Sequence, residues 1–145
     1  REVFTFAIVG DGETNEGQVW EAAMFAAHAG LGRLIAFTDN NKMQIDGMNA
    51  DVSGIKCLEA KWSAFGWETS RIDGHDIGAI VRAIGKAKAG AGAEAADAGA
   101  KAKPAMIILD TIKGKGAAFC EGQVASHNMN FDYETAKKAI ADLDR

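Results

Sequence analysis

Phe4-Thr5-Phe6-Ala7-Ile8-Val9-Gly10-Asp11-Gly12-Glu13 is an apolar run that ends in a tight Gly-Asp-Gly turn and opens into a helical pattern. Leu34-Ile35-Ala36-Phe37 is a second apolar run, and beyond Thr38 and Asp39 it meets two asparagines, Asn40 and Asn41. Short apolar runs that alternate with helical periods argue for βα units in an α/β fold, a doubly wound and mostly parallel sheet. In such a sheet both turns lie at the carboxyl ends of strands, where ligands bind.

Glycines let the backbone approach a phosphate closely, and a following helix offers free N–H groups and the positive end of its dipole. Asp11 places a carboxylate in that same turn. Two negative groups share a site only with a cation between them, and a hard divalent ion with oxygen ligands meets the need, magnesium being the usual choice. The turn fails the dinucleotide pattern, because Asn15 stands where G-x-G-x-x-G requires its third glycine. The signal comes from the pair of turns, which residues 13 through 39 separate by a helix and a strand. That spacing brings the two strand ends side by side. Asp11 offers a carboxylate oxygen, Asn41 an amide oxygen, and a backbone carbonyl just beyond completes the protein's share of an octahedron around a magnesium-diphosphate site.

Further along, residues 3–9 read as the first strand and 16–29 as a helix, with Val19, Trp20, Ala23, Met24 and Ala27 at helical spacing and Gly30 as its stop. Residues 34–38 form the second strand, and Ile45-Asp46-Gly47 a turn. A short helix is expected over 58–65 and a third strand over 67–72. Asp76 caps a helix from Ile77 to about Lys88, with Ile80, Val81 and Ile84 facing inward. Residues 89–103, almost wholly Ala, Gly, Lys and acidic, lack a large apolar side chain and read as a loop or a solvated helix extension. Residues 105–111 form a strand, 113–130 a polar, glycine-bearing segment and 133–143 a last amphipathic helix. Trp20, Trp62 and Trp67 read as core or interface aromatics. His28 and His75 read as structural, and Lys113 and Lys115 as turn charges or the border of a phosphate site.

At 145 residues the chain is one domain or part of one. The apolar fraction of 48% and charged fraction of 25% are those of a soluble globular chain. A net charge of −4 provides no basic field for nucleic acid and no basic face for a membrane. Cys57 and Cys120 lack metal or redox spacing, which points to a reducing cytoplasm. The chain opens on Arg1 and runs at once into a strand, so sequence upstream of Arg1 is expected.

Gly10-Asp11-Gly12-Glu13-Thr14-Asn15-Glu16-Gly17-Gln18-Val19-Trp20-Glu21-Ala22 followed by Asn40-Asn41 resembles the diphosphate-binding motif of thiamine-diphosphate enzymes, and of transketolases in particular. Asn41-Lys42-Met43-Gln44-Ile45-Asp46-Gly47, Phe65-Gly66-Trp67, Asp73-Gly74-His75-Asp76 and Thr111-Ile112-Lys113-Gly114-Lys115-Gly116 extend the resemblance to nearly the whole chain. The 2-oxoacid dehydrogenases share the first motif but usually lack the Ile-Asp-Gly and Lys-Gly-Lys-Gly elements.

The resemblance implies that Asp11 and Asn41 ligate magnesium through side chains and Met43 through its carbonyl. Gly10, Gly12 and Glu13 would form the turn at the cofactor's diphosphate, and Ile45 would pack against the cofactor. Glu16 would lie on the path between the two cofactors of a dimer. His127, flanked by Ser126 and Asn128 where split-subunit relatives usually carry tryptophan and glycine, would reach diphosphate and substrate. The implied reaction moves a two-carbon ketol unit between sugar phosphates, in the pentose phosphate pathway. It needs a pyrimidine-binding partner subunit or domain, in a homodimer or heterotetramer, and without it the chain would be inactive. Two other readings stay open: a 2-oxoacid dehydrogenase alpha-type subunit, and a silent assembly or cofactor-holding remnant.

Overall fold

A computed structural model of the chain describes residues 3–92 and 101–143. Its order is β1 (Thr5–Gly10), a 3-10 turn (Gly12–Asn15), α1 (Gly17–Ala29), β2 (Leu34–Asn40), β3 (Met43–Gln44), β4 (Gly47–Met48) and α2 (Asn49–Ser53). There follow α3 (Leu58–Ala64), β5 (Glu68–Asp73), α4 (Ile77–Gly92), β6 (Ala105–Asp110), a 3-10 turn (Val124–Asn128) and α5 (Tyr133–Leu143). The main sheet runs β1-β2-β6-β5 with every pair parallel, and β3 and β4 form a separate antiparallel hairpin. The expected α/β fold with a parallel sheet is therefore present.

A parallel sheet buried on both faces needs apolar side chains at successive positions, which is why β2 and β6 read as unbroken apolar runs. Ala36, Met106 and Ile108 face α1 and α3, packing with Ala23, Ala26, Leu58, Trp62 and Trp67. Their neighbours Ile35, Phe37, Ala105 and Ile107 face the opposite way, against Ala83, Ile84 and Ala87 of α4. The tryptophans are core aromatics, as expected. Trp62 lies 4.9 Å from both Trp20 and Trp67, centroid to centroid. The indole N–H of Trp67 donates to the Ala23 carbonyl at 3.0 Å, and that of Trp20 to the Thr14 carbonyl at 2.7 Å.

Several local expectations shift. The Gly-Asp-Gly turn opens first into the 3-10 turn, and Glu16 is extended (φ −77°, ψ 128°), so α1 begins one residue later than expected. Met24 is exposed on α1, and Val81 is exposed on α4. The inward stripe of α4 is Ile84 with Ala83 and Ala87, one residue round the helix from Val81. The helix continues four residues past Lys88, to Gly92, which fits a helix extension over 89–92. Residues 93–100, the rest of the Ala/Gly-rich stretch up to Ala100, lie outside the described residues. The hairpin and α2 occupy a stretch without sustained period; the hairpin's turn is Ile45-Asp46, in the expected place. β1 is an edge strand, and Phe6 and Ile8 on it are exposed. Among the described residues no helix is long and apolar enough to cross a membrane.

Candidate functional site

Parallel register brings the two turns together. Gly10, the last residue of β1, pairs with Asp39 of β2, and the Asp11 N–H donates to the Asp39 carbonyl at 3.0 Å. The Asp11 side chain then turns under the second strand end. One carboxylate oxygen, Oδ1, accepts from the Gly12 N–H at 2.8 Å, and Oδ2 accepts from the Lys42 N–H, 31 residues away in sequence. This single carboxylate ties the Gly-Asp-Gly turn to the residue after Asn41.

Asp11 is 3% exposed. Burial pushes its carboxyl above the usual carboxylate range, the N–H of Lys42, the Asn49 side chain and the N–H of Gly12 pull it back, and the Asp39 carboxylate raises it again. A cation beside Asp11 would relieve both the burial and the repulsion. Lys42 is the sole described residue other than glycine with positive φ (67°). Its N–H is held by Asp11 and its carbonyl accepts from the Asn49 N–H at 2.9 Å, so both ends of a left-handed residue are fixed at the site.

The paired asparagines diverge. Asn40 is buried and its Nδ2 donates to Asp110 Oδ1 at 2.6 Å. Asn41 stays at the turn: its Oδ1 accepts from the Met43 N–H at 2.9 Å, and its Nδ2 donates to Asp39 Oδ2 at 3.2 Å. An amide oxygen has two lone pairs, so Oδ1 retains one for a metal. Among the described residues no group of three or more His, Cys, Asp and Glu side chains is placed to hold a metal ion. The donor set at this turn is of another kind: one buried carboxylate, one amide oxygen and the backbone of Met43. All are hard oxygen donors, and that chemistry fits magnesium with diphosphate and water completing the shell. The buried Asn49 Oδ1, which has no hydrogen-bond partner, adds an open acceptor nearby.

Glycine at position 12 has a reason within the fold as well: a Cβ there would sit 2.9 Å from Cβ of Gln44 in the hairpin. Glu13 turns back, its Oε2 accepting from the Gly10 N–H at 2.6 Å. Glu16 is exposed at the start of α1 and makes no capping bond with its side chain. Ile45 stands 67% exposed at the hairpin tip. His127 lies on the 3-10 turn that packs against β3, exposed, with its Nδ1 3.2 Å from Lys113 Nζ. His75 is structural: its Nε2 accepts from the Ile112 N–H at 2.8 Å.

A cleft of about 680 Å³ adjoins Asp11 and is lined also by Asn40, Lys42, Asn49, Lys56 and Arg71. On its wall Arg71 grips Asp110 with two bonds of 2.8 Å. Arg71 holds the Asp110 carboxyl below the usual range, against the opposing effect of burial. A depressed carboxyl stabilises the fold fully above its unfolded value of about 3.9 and loses that contribution as pH falls through the folded value. Both side chains are well exposed (44% and 39%), so solvent screens the pair and its worth is under about 1 kcal/mol. Arg71→Met should therefore unfold in urea slightly earlier than the parent near neutral pH, with the gap narrowing once pH falls below the unfolded carboxyl value of about 3.9. A gap that stays constant with pH would show that the charge pair contributes nothing.

Residues 1–142 match the family model described as transketolase, thiamine diphosphate binding domain. The chain belongs to the transketolase family. It is 51% identical over 140 residues to the 6-deoxy-6-sulfo-D-fructose transketolase subunit SqwG of Clostridium sp. (strain MSTE9), covering 97% of this chain and 47% of that subunit. It is 33% identical to an apulose-4-phosphate transketolase subunit from Phocaeicola vulgatus, covering 96% of this chain and 46% of that one. The crystal structure of the transketolase of Campylobacter jejuni superposes with a TM-score of 0.84 at 29% identity, covering 99% of this chain and 21% of that enzyme. The chain thus spans about half the length of these curated subunits. Of the two enzyme readings, the match selects transketolase over the 2-oxoacid dehydrogenases.

Asp39, Thr111, Asn40, Asp110 and Asn49 all surround this candidate site; Asn40 and Thr111 lie in motifs visible in the sequence, but no role at the site was expected of any of the five. The pairing of Asp39 beside Asn41 is visible as adjacency, but the roles of Thr111 and Asp110 depend on a strand 70 residues away.

Proposed function

We propose that this chain binds the magnesium-diphosphate end of thiamine diphosphate in a transketolase that moves a two-carbon ketol unit from a ketose to an aldose. The observation that carries the reading is the Asp11 carboxylate bound to the Lys42 N–H, a buried acid beside Asn41 and Met43. Asp11, Asn41 and the Met43 carbonyl would hold magnesium, and the turn formed by Gly10, Gly12 and Glu13 would receive the diphosphate. Thiamine diphosphate, when bound, supplies the carbon nucleophile that cleaves a ketose beside its carbonyl. Ile45 would pack against the cofactor, and Glu16 would lie on the path between the two cofactors of a dimer. His127, on the turn against β3, would contact diphosphate and substrate and would hold or move a substrate proton.

The activity requires a pyrimidine-binding domain, which we place in a partner subunit or in another part of a longer chain. The 47% and 46% coverage of the two bacterial subunits supports this reading. The identity of 51% to a sulfofructose transketolase subunit, against 33% to an apulose-phosphate one, favours a ketose with a sulfonate rather than a phosphate at its far end as donor. The test is donor cleavage by the complete subunit with and without its partner, in the presence of magnesium and thiamine diphosphate. Cleavage only in the mixture, with 6-deoxy-6-sulfofructose outpacing fructose 6-phosphate in kcat/KM, is the expected result. Cofactor binding with no cleavage of any ketose in the mixture would instead favour a silent cofactor-holding role.

A further inference from the structure

An asparagine ligand carries an ambiguity that a carboxylate does not. Turning the amide by 180° exchanges Oδ1 and Nδ2 with almost no change of shape, but only the oxygen has a lone pair to give a metal. Something must therefore select the orientation of Asn41, and two neighbours do so. The Met43 N–H, which only donates, meets Oδ1 at 2.9 Å. The Asp39 carboxylate, which only accepts, meets Nδ2 at 3.2 Å. The backbone N–H is common to every residue but proline, whereas Asp39 contributes through its side chain and is itself held. Its other oxygen, Oδ1, accepts from the Thr111 hydroxyl. Thr111 follows β6, whose Leu109 and Asp110 pair with Asp39 and Asn40 in register.

We propose that Asp39, steadied by Thr111, is a positioning residue that orients the Asn41 amide with its oxygen toward the metal site. The inference rests on the proposed role of Asn41 as a magnesium ligand. Supporting residues of this kind typically contribute 10- to 100-fold in metal affinity. The orientation of a ligand would be set by a residue just past β6, 72 residues downstream of Asp39, and the device is indifferent to which sugar is transferred.

The test titrates magnesium into the assembled, thiamine-diphosphate-saturated protein by calorimetry. Asp39→Ala should weaken magnesium binding by roughly 10- to 100-fold. Thr111→Val should weaken it less, and Thr111→Ser should restore it. In an Asn41→Asp background both ends of the ligand are oxygens, so adding Asp39→Ala should produce no further loss. If Asp39→Ala does not fold, the Thr111 pair in the two backgrounds carries the same comparison. Parent-like magnesium affinity in Asp39→Ala would overturn the proposal, and so would an equal loss in the Asn41→Asp background, which would make Asp39 a source of negative charge rather than of orientation. A parent protein with no saturable magnesium binding would fell the cofactor-site reading itself, a result separate from either of these.

Discussion

Asp11→Ala should abolish magnesium-dependent binding of thiamine diphosphate in the assembled protein. Removing one member of a buried charge pair costs about 3–5 kcal/mol, which at 1.4 kcal/mol per decade is a loss of roughly 10²- to 4 × 10³-fold in affinity. The same substitution also strips acceptors from two backbone donors, the N–H groups of Gly12 and Lys42. Part of the loss would then come from a relaxed turn. Asp11→Asn separates the two effects, because it keeps the shape and one oxygen but discards the charge. It should melt closer to the parent than Asp11→Ala does, while magnesium binding stays strongly weakened. Calorimetric titration alongside thermal melts of both variants makes the comparison. Retention of magnesium-dependent cofactor binding in Asp11→Ala would remove Asp11 from the site.

Trp62→Ala should be the most damaging change to the fold. The side chain is 3% exposed and lies between Trp20 and Trp67. Truncating a buried tryptophan costs about 3–5 kcal/mol through lost burial and the cavity left behind. For a chain of this size that is a fall in Tm of roughly 10 °C or more. Trp62→Phe should cost about 1 kcal/mol or less, for a reason specific to this position: the indole N–H of Trp62 is buried without a hydrogen-bond partner, so phenylalanine removes an unsatisfied donor while keeping the ring contacts. Trp67→Phe should be worse than Trp62→Phe, since it deletes the bond to the Ala23 carbonyl. Differential scanning calorimetry of the three variants gives the order. Equal damage from Trp62→Phe and Trp62→Ala would show that the indole N–H finds a partner in solution.

These two residues differ in how visible they are in the chain. Trp62 falls in a short amphipathic helix, four residues after Leu58 and beside Phe65-Gly66-Trp67, and its place in the core follows from that pattern. Asp11 is conspicuous as a carboxylate in a glycine turn, and its pairing with Asn41 follows from the length of the helix and strand between them. Val81 shows the limit of such reading. On α4 it lies one position from the inward stripe, and which of two adjacent apolar residues faces the sheet depends on how the helix is rotated over β2 and β6, which local periodicity leaves open. Residues 43–53 show another limit, because a hairpin of two-residue strands and a five-residue helix are too short to impose a period.

The sequence by itself determined the alternation of strands and helices, the meeting of Gly10-Asp11-Gly12 with Asn40-Asn41 at one end of the sheet, and the transketolase family. The first two are properties of spacing along the chain, which is local, and the family rests on the resemblance of whole motifs. Only the tertiary structure decided that β6 enters between β2 and β5. That placement sets Asp110 against Asn40 and Arg71, and Thr111 against Asp39. The register of strands 70 residues apart is chosen by burial on both faces of the sheet at once. No window along the chain contains both partners, so the donor that holds Asp39, and through it the amide of Asn41, becomes visible only once the strands lie side by side.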